Sequence, residues 1–207
     1  MVRVKVCGMT ETKNLQEIVK RAVDAVGFIL AESERQISLK KAEKLAAKLP
    51  PFVSSVGVVK NPDADRLRKI DSAGIFDFIQ LHGREAPELL EEISCRTIKA
   101  ISISRPEDVK RASKYRAADY LLFDSRVGSR RGGTGEKFNW NYLDGLKLDN
   151  PYILAGGLGP ENIAEAVRQV SPSAVDLNSG IEVKEGVKDP EKLDQTLTEL
   201  PGAKRVK

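Results

Sequence analysis

Reactive and polar side chains in this chain fall near the ends of short apolar runs. Lys5 and Cys7 are two apart at the end of Val2–Val6, so on an extended strand they share one face. Gln80 and His82 stand in the same relation at the end of Ile75–Leu81, and Asp176 and Asn178 at the end of Ala174–Leu177. Asp124 closes Tyr120–Asp124, and Lys99 lies within Thr97–Ile103. Polar groups on otherwise apolar strands are costly unless they are paired or used. A thiol ordinarily has a pKa of about 8.5, and a neighbouring cation lowers it. Lys5 would supply that cation and make Cys7 a base, although a lone cysteine is more often a small buried hydrophobe. An aspartate at a strand end is a common turn cap, but a partly buried carboxyl with a raised pKa can hold a proton to donate. Asp124 and Cys7 on opposite flanks of one mouth would form an acid and a base.

Two glycine features point to phosphate. Gly156–Gly157 directly follows Pro151–Ala155, and Asn178–Ser179–Gly180 directly follows Ala174–Leu177. Converging backbone N–H groups and a short helix N-terminus at such turns form a phosphate cradle. Arg35 would pair with a substrate carboxylate. Gly132–Gly133–Thr134–Gly135 would be either a lid or a plain surface loop. The chain has one histidine, His82, which argues against a histidine-based metal cluster and a Ser-His-Asp triad. No phosphate-binding loop of the nucleotide type and no zinc spacing is found.

These groups need a scaffold that brings strand ends together. Beta-branched runs alternate with amphipathic stretches such as Leu39, Ala42, Leu45, Ala46 and Leu49, where the apolar period is helical. Asn61–Pro62 is expected to open a helix, Ser104 with Glu107 to form a capping box, and Asp189–Pro190 to cap the last helix. Cys95 is placed on the fourth helix as a structural residue. Eight strands in strict alternation with eight helices imply parallel pairing. The expected fold is a single (β/α)8 barrel domain spanning residues 1–207, at the compact end of the usual size for that fold.

Composition narrows the function classes. Among 207 residues, 34 Lys and Arg against 30 Asp and Glu leave a net charge of +4, a slight balance that suits an anionic small ligand. Dense basic spots are confined to Arg126–Arg131 and the Lys204, Arg205, Lys207 tail, and aromatics at 5% are too sparse for a base-stacking platform. Nucleic acid is therefore not expected as a partner. Two cysteines are too few for a disulfide scaffold, and no apolar run approaches membrane-spanning length. A cytoplasmic protein, monomeric or homodimeric and without membrane association, is the expectation.

Val4-Lys5-Val6-Cys7-Gly8, Gln80-Leu81-His82-Gly83, Leu122-Phe123-Asp124-Ser125, Gly132-Gly133-Thr134-Gly135, Ala155-Gly156-Gly157-Leu158 and Asp176-Leu177-Asn178-Ser179-Gly180-Ile181-Glu182 together resemble the phosphoribosylanthranilate isomerases of tryptophan biosynthesis. The resemblance runs in order from the first strand to the eighth. It implies an Amadori rearrangement without cofactor or metal, with Asp124 as general acid and Cys7 as general base. It further implies that Arg35 holds the anthranilate carboxylate. Gly156, Gly157, Ser179 and Gly180 would hold the phosphate, Asp176 a sugar hydroxyl, and Lys5 and His82 would support. Other sugar-phosphate barrels fit less well: a metal-dependent epimerase needs more histidines, and a duplicated half-barrel would show an internal repeat. A non-catalytic phosphate sensor would have no need of Cys7 and Asp124.

Overall fold

The computed structural model describes residues 1–124, 140–143 and 148–201. Eight parallel strands close into a barrel in chain order: β1 (Arg3–Cys7), β2 (Ala25–Ile29), β3 (Ser54–Val59), β4 (Phe78–Leu81), β5 (Arg96–Ser102), β6 (Tyr120–Asp124), β7 (Tyr152–Ala155) and β8 (Ala174–Leu177). The ring shuts where β1 pairs with β8, Arg3 opposite Ala174 and Val6 opposite Leu177. Alternation along each strand divides the core in two. Val56, Val58, Ile98, Ala100, Leu122 and Ile153 fill the barrel interior beside Cys7. Their neighbours, such as Val4, Val6, Ile101 and Phe123, face the helices in a larger outer layer.

The helical layer departs from strict alternation. Helices α1 (Thr12–Ile18), α2 (Leu39–Ala46), α3 (Ala64–Ser72), α5 (Ile163–Val170) and α6 (Pro190–Glu199) follow the expected faces. Between β4 and β5, however, stands a 3₁₀ turn, Pro87–Glu92, and between β5 and β6 a four-residue α4 (Pro106–Val109) runs into a second one, Lys110–Tyr115. The looser rise of about 2.0 Å per residue lets few residues span a strand's length. Trp140–Leu143 is likewise 3₁₀. The glycine loop 132–135, the basic run 126–131 and the tail 204–207 lie outside the described residues.

Three local expectations are corrected. The cap of α3 is Asp63, which accepts from the Arg66 N–H, not Asn61. Asn61 adopts φ +44 and instead accepts from the Arg84 N–H. The cap residue is Arg105 rather than Ser104, and Asp108 rather than Glu107 closes the capping box, accepting from the Arg105 N–H at 3.2 Å and also from the Ser104 N–H and hydroxyl, because only Asp108 sits at the third helical position. Cys95 lies after the Pro87–Glu92 turn, one residue before β5, and burial pushes its thiol up to about 11. A hairpin that was not anticipated, β9 (Glu182–Lys184) and β10 (Val187–Lys188), follows a 3₁₀ turn, Ser179–Ile181. It turns at Gly186, whose φ is +81, and it sets Lys188 opposite Glu182.

Candidate active site

One cavity at the C-terminal end of the barrel is lined by Cys7, Arg35, Gln80, His82, Asp124, Gly156, Gly157, Asp176, Asn178 and Ser179. Strand parity puts them there. Cys7 points inward from the end of β1, and its cross-strand partner on β2 is Gly27. A Cβ at Gly27 would lie 2.6 Å from the Cys7 sulfur, so glycine is what leaves the thiol its space. Asp124 ends β6 with its side chain buried.

Lys5 lies one inward step below Cys7. Its Nζ donates to Asp176 Oδ2 at 2.8 Å across the β1–β8 seam, with both side chains buried. The Cys7 thiol was expected to be activated; instead burial pushes its pKa up. The Lys5 and Lys188 charges pull the other way without winning, and the Asp176 carboxylate adds to the rise. Asp176, paired with Lys5, offsets part of the lysine's effect on the thiol.

On the opposite flank, His82 Nε2 lies 3.2 Å from Asp124 Oδ2, and Gln80 Nε2 lies 2.9 Å from His82 Nδ1. Gln80, His82 and Asp124 thus form a chain of contacts along the ends of β4 and β6. Asp176 Oδ1 and Gln80 Oε1 are buried and have no hydrogen-bond partner among the described residues. An unsatisfied buried acceptor costs about 1–3 kcal/mol unless a donor reaches it. Both residues line the cavity, where the hydroxyl groups of a sugar would bring such donors.

Arg35 reaches the cavity edge but is already engaged. Its Nε donates to Glu182 Oε1 at 2.8 Å and its NH2 to Oε2 at 2.5 Å, a two-pronged clamp. Glu182 also accepts from Lys188 Nζ at 2.6 Å and from the Gly186 N–H at 3.0 Å. Burial alone would raise the Glu182 carboxyl, but Arg35, Lys188 and Gly186 outweigh it and hold it at about 2. Lys188 Nζ reaches Asn178 Oδ1 as well, at 2.6 Å. A guanidinium has five N–H donors, and Glu182 takes two of Arg35's.

Gly156 and Gly157 follow β7 with φ of +103 and +64, a backbone that favours glycine, and they line the cavity beside Ser179. Gly180 stands behind them: a Cβ there would meet the Leu158 carbonyl oxygen at 2.1 Å, so it lets the loops after β7 and β8 close on each other. Lys99 lies elsewhere. Like Thr97 and Ile101, it points outward from β5, and its Nζ donates to Glu85 at 2.6 Å and to the Gly83 and Leu81 carbonyls. Glu182, Lys188 and Glu85 were not singled out from the sequence. Glu182 ends the motif that opens at Asp176, which was its one available signal. Among the described residues no cluster of His, Cys, Asp and Glu is arranged to hold a metal ion.

Residues 4–199 match the family model of N-(5'-phosphoribosyl)anthranilate isomerase. The N-(5'-phosphoribosyl)anthranilate isomerase of Petrotoga mobilis is 44% identical over 205 residues, covering 99% of each chain. That of Moorella thermoacetica is 40% identical over 93% of this chain and 86% of its own. The crystal structure of phosphoribosyl anthranilate isomerase from Thermotoga maritima superposes with a TM-score of 0.87 at 36% identity, covering 98% of this chain and all of that one. A structure of the isomerase in complex with reduced 1-(o-carboxyphenylamino)-1-deoxyribulose 5-phosphate gives 0.84 at 34% identity, with the same coverage.

Proposed function

The chain belongs to the N-(5'-phosphoribosyl)anthranilate isomerase family, and on that premise we propose how its own residues carry the reaction. Its activity is the isomerisation of N-(5'-phosphoribosyl)anthranilate in tryptophan biosynthesis. In our reading Asp124 donates its proton to the ribose ring oxygen. The C1–O bond breaks, and the anilino nitrogen lone pair forms a C1=N iminium. The Cys7 thiolate then removes the proton on C2, and that electron pair forms the C1=C2 double bond of an enolamine as the iminium is neutralised. The enol loses its hydroxyl proton, C1 gains one, and the ketone results. Atoms balance without oxidation or reduction.

The observation that carries this reading is the placement of Cys7 and Asp124 on one cavity, from strands on opposite flanks of the barrel. The buried, unpartnered Asp176 Oδ1 supports a bond to a sugar hydroxyl. The glycine backbone after β7, with Ser179 and Gly180 after β8, supports a phosphate cradle. The remaining Arg35 donors support the anthranilate carboxylate, with Glu182 fixing the guanidinium plane. A cytoplasmic location fits a biosynthetic role of this kind.

Substitution tests the pair. Freshly made phosphoribosylanthranilate loses its fluorescence as it is consumed. With Cys7→Ala or Asp124→Asn, kcat should fall by about 10²–10⁴, the range for a lost acid or base, while affinity for a reduced product analogue stays near normal. Near-normal turnover in either variant removes that residue from the mechanism.

A further inference from the structure

The acid side of the cavity contains a group that the mechanism has not used. We propose that Gln80 is a positioning residue that fixes His82 as the tautomer protonated on Nε2, so that His82 donates to Asp124. This rests on the reading of Asp124 as the acid.

A neutral imidazole carries one N–H and one lone pair, and the partner of one nitrogen decides the state of the other. His82 Nε2 faces an Asp124 carboxyl oxygen at 3.2 Å, an acceptor that calls for an N–H. That leaves a lone pair on Nδ1, which calls for a donor, and the Gln80 amide nitrogen stands 2.9 Å away. With the amide reversed, acceptors would face both ring nitrogens and favour the imidazolium. Gln80 is buried, and in this orientation its Oε1 is left for a donor from the cavity.

The backbone of this segment is clamped as well. Lys99 Nζ donates to the carbonyls of Leu81 and Gly83, the residues on either side of His82. Glu85 accepts from the Gly83 N–H at 3.0 Å. The imidazole thus sits on a fixed peptide with a fixed proton. Its Nε2 lies 3.2 Å from the carboxyl that gains charge when Asp124 gives up its proton, and a charge-assisted bond between them would strengthen as that charge develops.

Because His82 is the only histidine in the chain, the test is direct. A long-range ¹H–¹⁵N correlation spectrum of ¹⁵N-labelled protein, taken near pH 9 and well above the ordinary imidazole value of about 6.5, shows one ring. The native protein should give the Nε2-protonated pattern. Gln80→Leu should shift the ring toward a tautomer mixture and lower kcat about tenfold or more, with KM changed less than about twofold. Gln80→Glu, which places an acceptor at Nδ1 while Asp124 still faces Nε2, should favour the imidazolium, with both ring nitrogens protonated. Gln80→Met carries the same test if the leucine variant does not fold. An Nδ1-protonated ring in the native protein overturns the proposal. So does a Gln80→Leu protein whose tautomer is unchanged, even if its activity falls. The spectrum is read without turnover. Failure of Asp124 as the acid would appear separately, as near-normal activity in Asp124→Asn.

Discussion

Two buried ion clusters flank the barrel mouth, and they serve different ends. At the seam, Lys5–Asp176 and Arg35–Glu182–Lys188 join β1, the loop after β2, β8 and the hairpin, and Arg35 and Asp176 border the cavity. At the far rim, Lys99–Glu85 is buried as deeply, yet it lies on the outer face of β5 and ties down the loop after β4. Burial of charge is therefore not by itself a mark of catalysis. What separates the two is where spare hydrogen-bonding capacity points. The seam leaves Asp176 Oδ1 and the remaining Arg35 donors at the cavity. At the rim, Lys99 spends its ammonium on Glu85 and two carbonyls.

The sharpest break in this comparison is Asp176→Asn. It strands Lys5 and weakens the acceptor offered to the substrate, so kcat/KM should fall by about 10² or more, alongside a loss of roughly 3 kcal/mol in urea unfolding. The rim variant Lys99→Met should cost a similar amount of stability, about 3–5 kcal/mol, because Glu85 is left buried without its partner. Its KM should hold within about twofold, and adding Glu85→Leu should restore much of the loss. A large KM change in Lys99→Met would erase the distinction between the clusters.

A smaller effect tests the seam by pH. Glu182 is held at about 2 against an ordinary 4.5, so its contribution is complete above about 4.5. It is lost as the pH falls from there toward 2, and urea midpoints should drop over that interval. Glu182→Gln should flatten that part of the curve. The smallest effect is a near absence of change. In the proposed mechanism the active form has Asp124 protonated and Cys7 ionised, and a carboxyl ordinarily titrates below a thiol. Between the two values the gains and losses cancel, so kcat/KM should be level across neutrality. Its descending limb should lie above the ordinary thiol range, because burial raises Cys7. A fall beginning near pH 7 would contradict the raised thiol.

The barrel was legible because period-2 and period-3.6 apolar patterns alternate along the chain, and Cys7, Gln80 and Asp124, named from their places at strand ends, line one cavity. Lys99 was misread because a polar residue near a strand's end looks the same from either face, and only its odd place beside Thr97 and Ile101 turns it outward. The site's ionic support was hidden for another reason. Glu182 and Lys188 meet through a hairpin of three and two residues, too short for any periodicity to reveal. Arg35 looked like a free carboxylate binder because its partner lies 147 residues away.

The pairing of the first strand with the eighth has a consequence for how the enzyme comes into being. A ribosome delivers the thiol early and its surroundings last, since the carboxylate opposite Lys5 is 171 residues further on. In the proposed mechanism the site is incomplete until β8 pairs with β1 and brings Asp176 to Lys5. Any rearranged gene that moves the termini must still lay these two strands side by side.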